Sequence, residues 1–138
     1  MRDIKRFFLV LVILLTSAVS YAADYRVVFD LTSNDQKTWD TILRNLENVK
    51  KELGDKTQLQ VVAHGGGIEL FLKKKAFQTP RLIKLSQAGV KFVGCENTMK
   101  RKKIKRDELY PFVATVPAGL AEIIRKQQEG WAYLKIGQ

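Results

Sequence analysis

The sequence predicts one three-layer α/β/α domain with a mostly parallel sheet of about five strands. Short β-branched or aromatic segments alternate with amphipathic helical segments from Tyr25 to Ile136. Such alternation implies parallel strands that are joined by right-handed helical crossovers. The 116 residues that follow residue 22, out of 138, suffice for one core and leave no room for a second domain. The strand order stays open at this level.

The first two strands and the helix between them are predicted from composition and spacing. Tyr25–Leu31 and Gln58–Ala63 are rich in strand-forming residues. Ser33 and Gln36 have the spacing of a capping box, which opens the first helix, and Gly54 is expected to end it. Between them, apolar residues recur at helical intervals. These residues are Trp39, Ile42, Leu43, Leu46, Val49 and Leu53.

Two predicted helices separate the second strand from the third. A histidine and three glycines follow the second strand, and a short helix is then expected from Ile68 until Lys73–Lys75. Pro80 is expected to open another helix that Gly89 ends. The third strand is Val90–Gly94.

The chain is predicted to pass from the third strand to a helix at Cys95. Asn97 or Thr98 is expected to cap this helix, which begins near Met99. In a parallel sheet, ligands and reactive groups gather beyond the carboxyl ends of the strands, because helix N-termini and loops converge there. We therefore expect both Cys95 and His64 at that edge.

The last part of the domain repeats the strand and helix pattern. Phe112–Val116 is predicted as the fourth strand, and Pro117 is expected to start a helix that Gly130 ends. Trp131–Ile136 is then the fifth strand. No internal repeat accompanies this pattern.

The amino-terminal segment has the pattern of a cleavable signal peptide. Basic residues precede the apolar run Phe7–Val19, which is too short to span a membrane comfortably. Ser20 and Ala22 have the small size that signal peptidase requires before its cut. We expect residues 1–22 to be removed and residues 23–138 to form a periplasmic domain without a stable membrane span. An uncleaved amphipathic or membrane anchor is the alternative.

The chain is strongly basic. Its net charge is +10, and residues 1–22 hold three basic residues and one acid, so the rest keeps +8. Six of the seven residues of Lys100–Arg106 are basic. A solvated helix face explains most such runs, and a patch for an acidic partner or a membrane surface is the functional alternative. No aromatic residues alternate with these charges, so we expect no nucleic-acid partner.

Cys95 is the only cysteine, so no intramolecular disulfide can form. A helix N-terminus and nearby cations favour the thiolate, which is the nucleophilic form. Lys100 and Arg101 are the expected cations, whereas Glu96 opposes them if its carboxylate faces the sulfur. A reactive thiol and a buried structural cysteine are both open interpretations, since free cysteine is among the most buried residue types.

The segment that follows the second strand offers two further candidates. Gly65, Gly66 and Gly67 can present backbone N–H groups to an anion, with a tight structural turn as the alternative, because their spacing matches neither the dinucleotide fingerprint nor the P-loop. His64 is a candidate general base or hydrogen-bond partner for Cys95. One histidine and one cysteine do not make a zinc site, so we expect no metal and no cofactor. Serine hydrolase chemistry lacks its nucleophile elbow.

Three segments of the chain carry a family resemblance. They are VVAHGGGIELF after the second strand, VKFVGCENTM after the third, and TVPAGLAEIIRKQQEGWAYLKI at the end. Together they resemble the DsrE/DsrF-like superfamily, and most closely its exported branch. The resemblance covers residues 25–136. It implies an α/β/α fold, a homotrimer or hexamer, and sulfur relay through a cysteine that carries a persulfide.

By its position in this resemblance, Cys95 takes the role of the sulfur-carrying cysteine. Arg101 resembles an arginine that often follows on the next helix, and His64, Asn97 and Lys100 are further supporting candidates. The first hypothesis is a periplasmic, sulfurtransferase-like carrier that takes sulfur from a donor protein and passes it to an acceptor. The alternative is a non-catalytic oligomeric module that binds an anion or an acidic protein, with Cys95 as a packing residue.

Overall fold

The computed structural model describes residues 25–137, which form an all-parallel sheet between layers of helices. The strands are β1 (Arg26–Leu31), β2 (Gln58–Ala63), β3 (Lys91–Cys95), β4 (Val113–Val116) and β5 (Ala132–Ile136). Their order in the sheet is β4-β3-β2-β1-β5, and every pairing is parallel. The predicted three-layer fold is confirmed. The predicted signal peptide, residues 1–22, lies outside the described residues.

Four α-helices and three short 3₁₀ segments connect the strands. The helices are α1 (Gln36–Leu53), α2 (Thr79–Gln87), α3 (Glu96–Lys102) and α4 (Gly119–Gln128). The 3₁₀ segments are Gly65–Phe71, Lys73–Lys75 and Arg106–Glu108. Among residues 25–137, no helix combines the length and the apolar character needed to cross a bilayer.

The strand order explains why α4 lies apart from the other helices. The chain adds β2, β3 and β4 in turn on one side of β1, and α4 then returns across the sheet so that β5 pairs with β1 at the opposite edge. Helices α1 to α3 bury their apolar residues on one face of the sheet, and α4 covers the other face. The start of α4 therefore lies over the carboxyl ends of the central strands.

The two faces have cores of different size. The large core lies under α1 to α3 and contains most of the bulky apolar side chains, including Trp39, Phe71 and Phe92. Phe71 and Phe92 make an edge-to-face contact with ring centroids 5.6 Å apart. The small core lies under α4. It consists of Val28, Val62, Val93, Ile123 and Trp131.

The first helix starts differently from the prediction. Asp35 is its N-cap, because the Asp35 carboxylate accepts a hydrogen bond of 2.9 Å from the Thr38 N–H. Ser33 instead accepts a hydrogen bond from the Asp35 N–H at 3.1 Å. The predicted capping box of Ser33 and Gln36 is wrong, because the chain stays extended through Asp35 and the helix begins one residue later.

Other helix starts also differ from the prediction, and α4 begins at Gly119 and not at Pro117. The short helix expected from Ile68 is a 3₁₀ segment that begins at Gly65. Helix α3 begins at Glu96 with Cys95 as its N-cap, so neither Asn97 nor Thr98 caps it. The backbone of Cys95 is still extended while that of Glu96 is already helical, so no loop separates strand from helix. This direct junction places the thiol between sheet and helix.

Candidate functional site

Cys95 lies where β3, α3 and α4 meet. Its side chain is on the α4 face of the sheet, as is that of Val93, and only 5% of the residue is exposed. The Cys95 Sγ accepts a hydrogen bond of 3.2 Å from the Gly119 N–H. Gly119 is the first residue of α4, and its N–H has no partner within that helix. The sulfur therefore satisfies a free donor at the N-terminus of α4.

Thr98 is a second polar neighbour of the sulfur. The Thr98 Oγ1 accepts a hydrogen bond of 3.1 Å from the Gly65 N–H, which leaves the hydroxyl hydrogen free to point toward Cys95. Thr98 itself is buried. Thr98 thus links the segment after β2 to the thiol, whereas its sequence position predicted only a helix cap.

The surroundings of Cys95 favour its thiolate. Burial raises the pKa of the Cys95 thiol, but hydrogen-bond donors lower it by more, so the pKa lies below its ordinary value. These donors are the Gly119 N–H first, then the Thr98 N–H and hydroxyl, and then the Asn97 N–H. Backbone and hydroxyl dipoles therefore provide the stabilisation of negative charge at this site.

The charged residues of α3 contribute less than expected to the lower pKa of Cys95. Lys100 and Arg101 are exposed on the helix surface and are absent from the largest causes of the lower Cys95 pKa. The Glu96 carboxylate, which was expected to oppose them, accepts a hydrogen bond of 2.9 Å from the Thr115 hydroxyl. This bond holds Glu96 toward β4, so the environment of the thiol is mainly one of neutral donors.

His64 belongs to a partly buried polar network in which Asp30 is buried and Tyr133 is exposed. The His64 Nε2 lies 2.9 Å from Asp30 Oδ1, and the Tyr133 hydroxyl donates to Asp30 Oδ2 at 2.8 Å. Burial raises the pKa of Asp30, but the hydrogen bonds from His64 and Tyr133 lower it by more, so the pKa lies below its usual range. An ionised Asp30 accepts from Nε2–H, which leaves Nδ1 of a neutral imidazole as an acceptor.

The Cys95 thiol and the His64 imidazole belong to adjacent positions at the carboxyl ends of the neighbouring strands β3 and β2. Ala63 and Gly94 are register partners, so the residues that follow them in the chain, His64 and Cys95, are adjacent. A Cβ on Gly119 would lie 3.2 Å from the Cys95 Cβ and 3.4 Å from the His64 Cβ. Helix α4 therefore starts directly against both residues, and glycine permits this close approach.

The three glycines after His64 serve mainly to pack the chain. A Cβ on Gly67 would lie 2.1 Å from the Leu31 carbonyl oxygen, so only glycine fits there. The Gly65 N–H donates to Thr98, and the Gly67 N–H donates to the His64 carbonyl at 3.0 Å. Two of the three N–H groups expected to bind an anion already have partners, which favours the interpretation of a tight structural turn.

Three residues that complete the site were not predicted from the sequence. Asp30 had a usable signal, because it is a carboxylate within an otherwise apolar strand. Gly119 and Tyr133 had none, because each acts on a residue far away in the chain. Within residues 25–137, no three histidine, cysteine, aspartate or glutamate side chains are grouped so that they would hold a metal ion.

Comparisons with known proteins agree with this architecture. The model of the DsrE/DsrF-like family matches residues 26–136. A protein of unknown function from Methanobacterium thermoautotrophicum, MTH1491, has a similar structure, with 30% sequence identity and a TM-score of 0.77 over 81% of this chain and 99% of the other. BT1422 from Bacteroides thetaiotaomicron shares the fold at 12% identity and a TM-score of 0.68, over 85% and 99% of the two chains. No curated protein matches the chain.

Proposed function

Because the chain belongs to the DsrE/DsrF-like family, which is linked to sulfur relay, we propose that it carries sulfur as a persulfide on Cys95. The observation that carries the proposal is the hydrogen bond from the Gly119 N–H to the Cys95 sulfur. This bond stabilises negative charge on the sulfur, and the thiolate is the form that attacks another sulfur atom. The protein would then act as a sulfurtransferase-like carrier.

The transfer is a pair of thiolate displacements. The Cys95 thiolate attacks the outer sulfur of a donor persulfide, a sulfur–sulfur bond forms, and the donor's own sulfur–sulfur bond breaks so that its electron pair leaves with the donor thiolate. The hydrogen on the transferred sulfur stays with it. An acceptor thiolate then attacks that outer sulfur, and Cys95 leaves as a thiolate. No external oxidant or reductant is needed.

His64 and Asp30 prepare the thiol for this reaction. Because His64 lies beside Cys95 at the ends of paired strands, its Nδ1 would be the acceptor of the thiol proton when Cys95 is protonated, and the Asp30 carboxylate would stabilise the resulting imidazolium. The Tyr133 hydroxyl donates a hydrogen bond to the other carboxylate oxygen of Asp30 and so fixes its orientation. In this proposal His64 is the proton acceptor, and Asp30 and Tyr133 are positioning residues.

Export and self-association complete the proposal. The signal-peptide pattern of residues 1–22 supports a periplasmic location.

Leu120 and Ile124 lie one helical turn apart on α4 and are 60% and 58% exposed, which supports contact with a second copy of the chain. A homotrimer or homohexamer would cover these side chains. Sulfur donor and acceptor proteins would bind near Cys95, where Lys100, Arg101 and Asn97 are exposed.

The decisive experiment compares Cys95 with an ordinary thiol in the same chain. Wild type is incubated with inorganic polysulfide, and the intact mass is expected to increase by one sulfur atom that a reductant removes. Cys95→Ser is expected to gain none and to keep its fold by circular dichroism. The matched control is Asn48→Cys in the Cys95→Ser background, which puts the only thiol on the exposed side of α1.

We expect wild type to load faster than this control at neutral pH and to transfer the sulfur to a small thiol acceptor. Equal loading rates for the two thiols would contradict a specialised site. A wild type that never gains sulfur from polysulfide or from a cysteine persulfide would disprove the carrier function.

A non-catalytic binding module is the second candidate. The observation that favours it is the burial of Cys95, which is only 5% exposed and so resembles a packing residue. In that case the native thiol resists iodoacetamide and reacts only after denaturation. The carrier function requires that the native thiol react without unfolding.

A further inference from the structure

A pocket of about 580 Å³ lies between α3, the segment after it and the edge strand β4. Met99 and Ile104 provide apolar surface in it, and Thr115 lies beside them. We call it the basic pocket, because most of its remaining lining is cationic. These cationic residues are Lys100, Lys103, Lys105 and Arg106. Its volume is within the range of about 300–1,000 Å³ typical of small-molecule sites.

The basic pocket is separate from the sulfur site. Met99 and Val113 belong to the large core, and Thr115 lies two residues after Val113 on the same face of β4. Cys95 lies with Val93 on the opposite face, under α4. The two sites share helix α3 but open on different sides of the sheet.

The cations of the basic pocket lack acidic partners. In the part of the chain that the structure describes, none of the four forms an ion pair, whereas the neighbouring Lys102 pairs with Glu69 at 3.1 Å. The one acid in the lining, Glu96, is held by Thr115. Arg106 donates to the Val113 carbonyl, which fixes its guanidinium beside β4. With four cations against one carboxylate, the lining keeps an excess of three positive charges around an apolar floor.

We propose that the basic pocket binds a small organic anion with an apolar body, such as an aryl or alkyl sulfonate or carboxylate. The apolar body would contact Met99 and Ile104, and the acid group would face the lysines at the rim. An inorganic anion would leave the apolar floor exposed to water, and a neutral hydrophobe would leave the cations uncompensated. Only a molecule with both features matches the lining.

The test uses 8-anilinonaphthalene-1-sulfonate, whose fluorescence reports binding to an apolar site. We expect saturable binding to wild type that weakens as salt rises, competition by decanoate, and weaker competition by uncharged decanol. Lys100→Gln combined with Lys105→Gln is expected to weaken binding roughly 2- to 30-fold, the range for two partly exposed charge contacts. Lys51→Gln combined with Lys84→Gln removes the same charge elsewhere and is expected to bind like wild type.

Three results would overturn the proposal. One is equal weakening by the control pair, which would mean that only net charge matters. Another is equal competition by decanol, which would mean that the anion is not recognised. The third is loss of binding in Leu120→Gln with Ile124→Gln while the pocket variant binds normally, which would place the probe on α4. Cys95→Ser is expected to bind the probe normally, so this test is independent of sulfur loading.

Discussion

The two faces of the sheet differ in what they bury. The face under α1 to α3 buries a large, almost entirely apolar core. The face under α4 has five buried apolar residues and also encloses Asp30, Gln60 and the Cys95 thiol. Buried polar groups cost desolvation energy, and the large majority of them have hydrogen-bond partners. One face therefore provides most of the stability of the domain, and the other holds its reactive groups.

Each buried polar group on the α4 face has an identified partner. Asp30 accepts from His64 and Tyr133, the Gln60 side-chain amide donates to Glu122 of α4 at 2.8 Å, and Cys95 accepts from Gly119. The network is therefore satisfied, which makes it rigid and specific. It also makes the network sensitive to changes that remove one partner.

Truncation of the large core should have the largest effect on stability. Phe92 is 1% exposed and contacts Phe71 and Phe112, so Phe92→Ala is expected to lower the free energy of unfolding by about 3–5 kcal/mol. Its neighbour Val93 faces α4, and Val93→Ala is expected to cost about 2 kcal/mol. Urea unfolding measures both. Equal losses of unfolding free energy in the two variants would show that the two faces contribute equally to stability.

Asp30→Asn should have the next largest effect, because it removes the carboxylate that joins His64 to Tyr133. We expect a loss of about 1.5–3 kcal/mol at pH 7, the range for hydrogen bonds to a charged group. The native state lowers the pKa of Asp30, so the carboxylate stabilises the fold above its unfolded pKa of about 3.9. That stabilisation disappears as pH falls through the lower native pKa.

The difference between wild type and Asp30→Asn should therefore shrink in acid, as measured by urea unfolding at several pH values. Asp55→Asn is the control, since Asp55 is exposed in the turn after α1. A difference that stays constant with pH would contradict the assigned charge of Asp30.

Thr98→Val tests the donors around the sulfur. The loss of the hydroxyl is expected to raise the pKa of Cys95 and to slow alkylation at pH 7 roughly two- to tenfold, in line with one hydrogen bond of about 0.5–1.5 kcal/mol. Thr98→Ser keeps the hydroxyl and is expected to react like wild type. The rate of iodoacetamide reaction against pH provides the measurement. An unchanged rate profile in Thr98→Val would show that the backbone N–H groups alone stabilise the thiolate.

The smallest effect on the fold is expected at the outer side of α4. Leu120→Gln with Ile124→Gln should change the free energy of unfolding of the monomer by no more than about 0.5 kcal/mol, because both side chains are more than half exposed. The same pair should shift the mass measured by sedimentation from oligomer toward monomer. Asn48→Gln with Lys51→Gln on α1 is the control. An unchanged mass would mean that α4 is not the interface.

Sequence patterns predicted the elements more reliably than their ends. The strands and main helices were found because hydrophobic periodicity and glycine or proline stops act within a few residues. The helix starts at Asp35 and Cys95 were misassigned. In both places several polar residues in a row are suitable caps, and only the path of the chain decides which of them is the last extended residue.

The sequence by itself determined the alternating strands and helices, the single thiol, and its place at the carboxyl end of the third strand, because these properties depend on local composition. Only the tertiary structure decided what surrounds that thiol. Gly119 is 24 residues from Cys95, and Tyr133 is 103 residues from Asp30. They meet because α4 returns across the sheet and β5 pairs with β1, and strand order is set by packing of the whole chain, which no local pattern encodes.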